Sequence, residues 1–205
     1  MKARTIFWIF ALVGVVISLY YGVWGNQADG VYVDTIVKSR KDKDDFMRNS
    51  RNSPFAKEKE PFQELKYFPP DLNYRIQANL TPVRNRSVIT LTANDGSSQS
   101  YLQYAWAEFD LDNLHNRLLI LEVMEDGPER GKLFLAFADE TSGIETYAAG
   151  RYLDVMKVLG AGTITLDFNN AYNPYCAYTN SYTCPFPPKE NILKVAIRAG
   201  EKSYM

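Results

Sequence analysis

The sequence predicts a mostly β fold, an antiparallel sandwich or barrel of about seven or eight strands. A transmembrane helix and a juxtamembrane helix precede it. Three observations support this prediction. Apolar and polar residues alternate through much of the chain after residue 61, as they do in strands with one buried face. Aromatic residues make up 14% of the chain, and rings pack well on a pleated surface. No long segment with helical periodicity follows Pro54.

An uncharged run over residues 5–24 predicts the transmembrane helix. At about 1.5 Å per residue it spans a hydrocarbon core of ~30 Å. Trp8 and Trp24 lie near its ends, where interfacial aromatic residues are common. A cleaved signal peptide is the alternative, but its apolar core usually has only ~7–15 residues. We therefore divide the chain into an anchor (1–28), a charged juxtamembrane helix and linker (29–60), and an extracytoplasmic β-rich domain (61–205).

The juxtamembrane helix is predicted from Tyr32 to about Asn52, because its apolar residues form a broken stripe between charged ones. It ends before Pro54, since the residue preceding a proline avoids helical geometry. Two interpretations remain open. The helix is either a membrane-surface or partner-binding element, or a solvated spacer whose charges face water.

Seven runs in the domain predict strands. Side chains alternate in the first run, the second is rich in β-branched residues, and Asn94-Asp95-Gly96 supplies a turn after it. The predicted strands are Tyr74–Leu80, Val88–Ala93, Tyr101–Phe109, Arg117–Met124, Lys132–Phe137, Thr163–Phe168 and Ile192–Arg198.

Charge and the cysteines predict the orientation of the chain. Lys2 and Arg4 favour a cytoplasmic N-terminus, although the basic residues 38–43 weaken this argument. Cys176 and Cys184 enclose a short, turn-rich loop and suit a disulfide, which persists only in an oxidising compartment. A nucleophilic or metal-ligating cysteine pair is the alternative. We expect the disulfide, and therefore an extracytoplasmic domain.

Composition excludes several classes of function. The net charge of -1 gives no long-range field to attract a nucleic acid. The single histidine, His115, excludes a multi-histidine metal site within this chain. The chain contains neither a G-x-G-x-x-G nor a Walker pattern, so no phosphate loop is expected. We expect no metal, and the sequence identifies no cofactor.

Polar residues between the predicted strands are the candidates for a site. Three of these candidates are the acids Asp139, Glu140 and Glu145. They could act as acid/base groups or as oxygen ligands of a cation. The alternative is that they belong to an ordinary acidic turn between strands. Arg151 lies among small and apolar residues, so its guanidinium is expected to be partly buried. A buried guanidinium needs a carboxylate or an anionic ligand, and Asp167 is the candidate internal partner. Asn169, Tyr172 and Asn173 either line a polar pocket or only shape the loop.

Several short motifs are spread over the second half of the chain. They are Phe137-x-Asp139-x-Thr141-x-Gly143, Thr146-Tyr147, Gly150-Arg151-Tyr152-Leu153, Asp167-Phe168-Asn169, Ala171-Tyr172-Asn173-Pro174, Cys176-Ala177-Tyr178, Cys184-Pro185 and Ala199-Gly200-Glu201. Together they resemble a bacterial family known as domain of unknown function 1684. The resemblance extends over nearly everything after the anchor and assigns no catalytic residue. It implies that one constellation is formed by Tyr147, Arg151, Asp167, Asn169, Tyr172 and Asn173.

Three hypotheses follow for a single-pass protein of a bacterial inner membrane with a cytoplasmic N-terminus and a periplasmic domain. The first is a binding or accessory module of a membrane complex, whose motif loops hold a small polar or anionic ligand or dock a membrane-protein partner. The second is a hydrolase-type enzyme that uses the carboxylates as acid/base groups. The third is that the motif only holds the strands of the fold together.

Overall fold

A computed structural model describes residues 29–56, 62–157 and 160–204 of the chain. The chain divides into two compact units, Met1–Arg40 and Lys41–Met205. The membrane anchor predicted for residues 5–24 lies outside the described residues. Within the described ranges, no helix is long and apolar enough to cross a membrane.

The juxtamembrane helix is present as α1, residues 29–49. Within the second unit, Met47 is buried and packs against Leu65 and Tyr178. The Asp44 carboxylate also accepts a hydrogen bond from the Leu65 N–H at 3.3 Å. Residues 41–49 therefore pack against the folded domain, which the interpretation as a spacer did not include. Most charged side chains at this end of the helix are nevertheless exposed, as that interpretation expects.

The domain is mostly β, as predicted, and every pair of strands in it is antiparallel. The main sheet has six strands in the order β5-β4-β3-β1-β8, with β2 paired to β3 beside β1. Strands β6 and β7 form a separate two-stranded sheet. The strands are β1 (Arg75–Pro82), β2 (Val88–Thr92), β3 (Ser98–Leu111), β4 (Leu114–Val123), β5 (Leu133–Phe134), β6 (Ala136–Phe137), β7 (Arg151–Tyr152) and β8 (Thr163–Asp167). Single turns of 3-10 helix lie at Leu72–Tyr74, Phe168–Asn170, Tyr175–Ala177 and Lys189–Asn191.

The long hairpin of β3 and β4 is the frame of the sheet. Its two-residue turn consists of Asp112 and Asn113, which have φ angles of 52° and 60°. Positive φ at both positions matches the twist of hairpin strands, and Asp and Asn tolerate it. A register shift between Gln103 and Ala105 marks a bulge in β3. One part of β3 pairs with β2 and the other with β1.

The hydrophobic core lies between the main sheet and a second layer of mixed structure. The sheet contributes side chains such as Ala78, Leu118 and Leu166, and they pack against Phe137 and Ile197 of the second layer. That layer consists of β6, β7 and loop segments. Among the described residues the terminal strands β5 and β8 do not pair with each other, so the predicted barrel is not formed.

Two strand predictions need correction. The run Lys132–Phe137 forms two strands instead of one, because β5 pairs with β4 and β6 pairs with β7. Strand β7 was not predicted from the sequence. The run Ile192–Arg198 is an extended segment with one isolated bridge, between Ala138 and Ile192. Its backbone bonds the neighbouring chain around Asp139, where the Leu193 N–H donates to the Ala138 carbonyl at 2.8 Å and the Glu140 N–H donates to the Val195 carbonyl at 3.2 Å. The N–H and C=O of Ile197 bond the side chains of Asp139 and Arg151.

Asn191 closes an edge of β4. Its side chain is fully buried. The Leu119 N–H donates to Asn191 Oδ1 at 2.6 Å, and Asn191 Nδ2 donates to the carbonyls of Leu119 at 2.9 Å and Ala136 at 2.8 Å. One amide side chain thus satisfies backbone groups of both layers, which would be costly to leave unpaired in the interior.

Gly200 and Gly96 provide a matched test of packing at the second layer. Both have positive φ, 75° and 82°. A Cβ at Gly200 would lie 2.5 Å from the Ala171 carbonyl oxygen, whereas nothing lies within 4 Å of one at Gly96. We expect Gly96→Ala to cost ~1–2 kcal/mol, for the left-handed backbone alone. Gly200→Ala should cost ~1–3 kcal/mol more, from overpacking. Chemical denaturation of both variants measures this difference, and equal losses would contradict the described packing.

Candidate functional site

Arg151 lies at the centre of the polar motif and is fully buried, with 0% of its surface exposed. Strand β7 places it opposite Phe137, whose ring centroid is 5.2 Å from the guanidinium carbon. Nη2 donates to Asp139 Oδ2 and to the Ile197 carbonyl, both at 2.8 Å. Nη1 donates to the carbonyls of Ala199 and Glu201. The two terminal nitrogens are thus saturated by the protein itself.

Asp139 is the carboxylate partner of Arg151, so the interpretation in which Arg151 pairs with Asp167 is wrong. Asp139 is also buried, and its Oδ1 accepts hydrogen bonds from the Thr141 N–H at 2.8 Å and hydroxyl at 2.6 Å. The Ile197 N–H donates to the same oxygen at 3.2 Å. Burial lowers the pKa of Arg151, and the charge of Asp139 opposes that shift. The pair therefore holds the 197–201 segment against the turn that carries Asp139.

Asp167 instead performs two local tasks at the end of β8. Its Oδ2 lies 3.8 Å from Arg75 Nε in a half-exposed ion pair. Its Oδ1 accepts the Asn169 N–H at 3.2 Å and so caps the 3-10 turn Phe168–Asn170. Asx-type caps of this kind are common where a strand ends in a turn.

The other two candidate acids do not join Asp139 in a cleft. Glu140 is exposed, and Glu145 forms a surface pair with Arg198 at 2.8 Å. The three carboxylates thus have three different environments. The described parts of the chain also contain no cluster of His, Cys, Asp or Glu that could hold a metal ion.

A second buried acid, Glu201, was not among the predicted site residues. It is 0% exposed, and its carboxylate pairs with Lys43 Nζ at 2.7 Å. Asn173 Nδ2 donates to it at 2.9 Å, and the Tyr178 hydroxyl donates to the same oxygen. Burial, and then the charge of Glu201, raises the pKa of Tyr178. Its position directly after the small residues Ala199 and Gly200 is the sequence signal that could have identified it.

Asn169 and Tyr172 each close a different contact. Asn169 bonds both the N–H of Asp71, at 2.8 Å, and its carbonyl, at 2.7 Å. The Tyr172 hydroxyl donates to Asp154 at 2.8 Å, and the Lys43 Nζ lies 4.9 Å from the centroid of its ring. Arg151, Asn169 and Asn173 therefore lie in the interior, while Tyr147 and Tyr172 are partly buried. The six predicted residues do not line one open pocket.

Tyr147 belongs to the environment of the cysteines. Its hydroxyl is 4.0 Å from Cys176 Sγ, and the Cys176 N–H donates to Cys184 Sγ at 3.2 Å. The Cys184 N–H in turn donates to Asn94 Oδ1 at 2.7 Å. Both cysteines are free thiols in the structure, and the disulfide stays a prediction. The hydrogen bond from the Cys176 thiol lowers the pKa of Cys184 to about 7, and burial raises the pKa of Tyr147 to about 12.

Fold and site together define a mostly β protein with antiparallel sheets, whose polar motif is built into its interior. The family described as "Protein of unknown function (DUF1684)" matches residues 60–202. The chain belongs to this family, which confirms the resemblance carried by its motifs. A solution NMR structure of an uncharacterized protein from Haloarcula marismortui is similar, with 35% identity and a TM-score of 0.65. The similarity covers 86% of this chain and 97% of that one. No curated protein matches.

The buried pair Arg151–Asp139 should show strong energetic coupling. We expect Arg151→Ala and Asp139→Ala each to cost ~3–5 kcal/mol of unfolding free energy, because each leaves the other charge buried and unpaired. The double variant should lose less than the sum of the two, by ~0.5–3 kcal/mol. Arg198→Ala and Glu145→Ala provide the surface control, with a coupling of at most ~1 kcal/mol. Urea unfolding of both cycles measures these values, and equal couplings would contradict the buried network.

The cysteine pair should show an asymmetric titration in reducing buffer. Removing the thiol donor with Cys176→Ala should raise the pKa of Cys184 from about 7 toward the ordinary value for a thiol, ~8.5. Ultraviolet absorbance of the thiolate as a function of pH measures the pKa of Cys184. Tyr147→Phe is the control, because it keeps both thiols. An unchanged pKa in Cys176→Ala would contradict the hydrogen bond. Thiol counting without reductant tests the predicted disulfide separately.

Proposed function

We propose that this protein is a binding or accessory module of a membrane complex, held at a bacterial inner membrane by residues 5–24 with its domain in the periplasm. The observation that carries the proposal is that Asp139 and three backbone carbonyls occupy both terminal nitrogens of Arg151. The polar motif around Arg151 is used to build the fold. Function then belongs to the surface that this fold presents.

The same observation argues against a small anionic ligand at Arg151. All four bonds of its terminal nitrogens are made to protein atoms, and the side chain is 0% exposed. An incoming anion would have to displace Asp139 and open the core, which is costly. A protein partner that docks on the exterior fits the structure better than a ligand bound within the motif.

A hydrolase needs two titratable groups within reach of one substrate. Asp139 is enclosed with Arg151, Glu145 pairs with Arg198 on the surface, and Asp167 pairs with Arg75. These arrangements give the hydrolase hypothesis no support, and we propose the binding module instead.

The membrane part of the proposal predicts fractionation behaviour. The full chain should remain in the membrane pellet after alkaline carbonate extraction, because an uncharged span of about twenty residues crosses a bilayer. Deletion of residues 5–24 should release it to the supernatant. Deletion of residues 57–61 is a control that shortens the chain and keeps the anchor. Release of the full chain by carbonate would overturn the membrane assignment.

The partner part predicts a complex of fixed composition. Full-length protein, tagged at its C-terminus and purified from host membranes in mild detergent, should elute with one membrane protein in constant ratio. Glu140→Gln and Glu145→Gln remove two of the candidate acid/base groups and so test the hydrolase alternative. Hydrolysis of an ester, amide or glycoside substrate by the purified protein, lost in these variants, would favour the enzyme and overturn the proposal.

A further inference from the structure

The outer edge of β8 has open backbone hydrogen-bonding groups. The Leu80 N–H donates to the Gly162 carbonyl at 2.9 Å, so Leu80 and Gly162 form a hydrogen-bonded pair. The register of β1 and β8 pairs Ala78 with Ile164, two residues further along each strand, so this is also a hydrogen-bonded pair. In an antiparallel ladder alternate pairs exchange bonds, so the N–H and C=O of Thr163 and Thr165 point away from β1. No described residue forms a backbone bond to these groups.

Two other edges of the main sheet are covered. On β4, the Asn191 side chain bonds the N–H and C=O of Leu119. Beside β2, the Phe186 N–H donates to the Thr92 carbonyl at 2.9 Å. Natural proteins protect exposed edges with such covers or with Lys and Pro. Strand β8, Thr-Ile-Thr-Leu-Asp, contains neither Lys nor Pro.

A groove of about 490 Å³ reaches β8, and the rest of its lining comes from β1, β3 and the segment that follows β7. On the core side it is lined by apolar side chains, among them Leu80, Tyr104 and Ile164. On the other face it is lined by the polar side chains of Thr163 and Thr165. Because successive residues of a strand point to opposite faces, a strand added here would place alternate side chains against apolar and polar surfaces.

One charge in the groove lacks a counterpart in the described chain. Asp154 lines the groove and accepts a hydrogen bond from Tyr172, but forms no ion pair with a described Lys or Arg. Nearby Lys157 pairs with Glu122 instead, at 2.7 Å. A Lys or Arg in the added segment would complement Asp154. Strand β8 of a second copy has no basic residue to offer, so charge favours a different chain.

We propose that the edge of β8 binds an extended segment of a partner protein by strand addition. The segment has alternating apolar and polar residues and a basic residue that meets Asp154. Main-chain bonds provide affinity in such complexes, and side-chain pockets provide specificity. This inference rests on the proposed function, and it names the surface and the chemistry of the partner.

Thr165→Pro is the decisive variant, with Thr165→Val as its matched control. Proline removes the outward N–H of Thr165 and leaves the bonds to β1 intact, as edge strands allow. Valine keeps the N–H and the β-branched shape. Circular dichroism and the thermal midpoint should show that both variants are folded. The probe is a synthetic peptide of alternating Val and Thr with one central Lys, and its counterpart carries Glu instead of Lys.

Fluorescence anisotropy with the full-length protein in detergent should show binding of the Lys peptide, at least ~5-fold tighter than that of the Glu peptide. Thr165→Pro should weaken binding of the Lys peptide by ~5–10-fold, because about one hydrogen bond is lost and the added strand fits poorly. Thr165→Val should bind the Lys peptide as tightly as the wild-type protein does. Asp154→Lys should reverse the preference between the two peptides. Equal binding by the Pro and Val variants would overturn the proposal.

Two further outcomes separate this inference from the proposed function. If the membrane partner recovered with wild-type protein stays bound to Thr165→Pro, the edge is not its docking site and the inference is overturned, while the binding module stands. If sedimentation shows a wild-type dimer that Thr165→Pro converts to monomers, the edge pairs with a second copy, which also overturns the inference. Loss of the partner from Thr165→Pro but not from Thr165→Val supports it.

Discussion

The guanidinium of Arg151 is the constraint on which the second layer of this domain depends. It carries a charge in the interior, and such a charge is tolerated only when its partners surround it. Here the partners are one carboxylate and three carbonyls, from Asp139 and the segment 197–201. That segment has only one isolated bridge among the described residues, between Tyr67 and Glu201. The side chain of Arg151 provides the donors for the carbonyls of Ile197, Ala199 and Glu201.

The end of the same segment is fixed by a second ion pair. Glu201 receives Lys43 from the last turns of α1, together with Asn173 and Tyr178. Between the two pairs, Gly200 allows the backbone to approach the Ala171 carbonyl closely. Helix, 3-10 turns and the extended segment are thus joined through polar groups rather than through a continuous sheet. This explains how loops can form a layer of the core.

The sequence predicted the class of the fold because alternation and aromatic content report on local pairing, as in the hairpin of β3 and β4. It also predicted that Arg151 would be partly buried, and it left open whether a carboxylate or an anionic ligand is its partner. It named Asp167 rather than Asp139, since residue types cannot show which of two acids faces inward. Ile192–Arg198 has strand-like periodicity, but whether its backbone meets a strand or a side chain is decided by tertiary contacts. Glu201 was not predicted as a buried acid, because its partner Lys43 lies far away in the sequence.

The distribution of Arg151's partners along the chain has a consequence for biogenesis. The guanidinium is placed by β7, but three of its four acceptors come from residues 197–201. A growing chain that has emerged only as far as β8 therefore contains a charge that it cannot yet enclose. The main sheet can form at that stage, whereas the second layer must wait for the last segment. Such late closure leaves apolar surface open during synthesis, which is a stage at which chaperones act on folding chains.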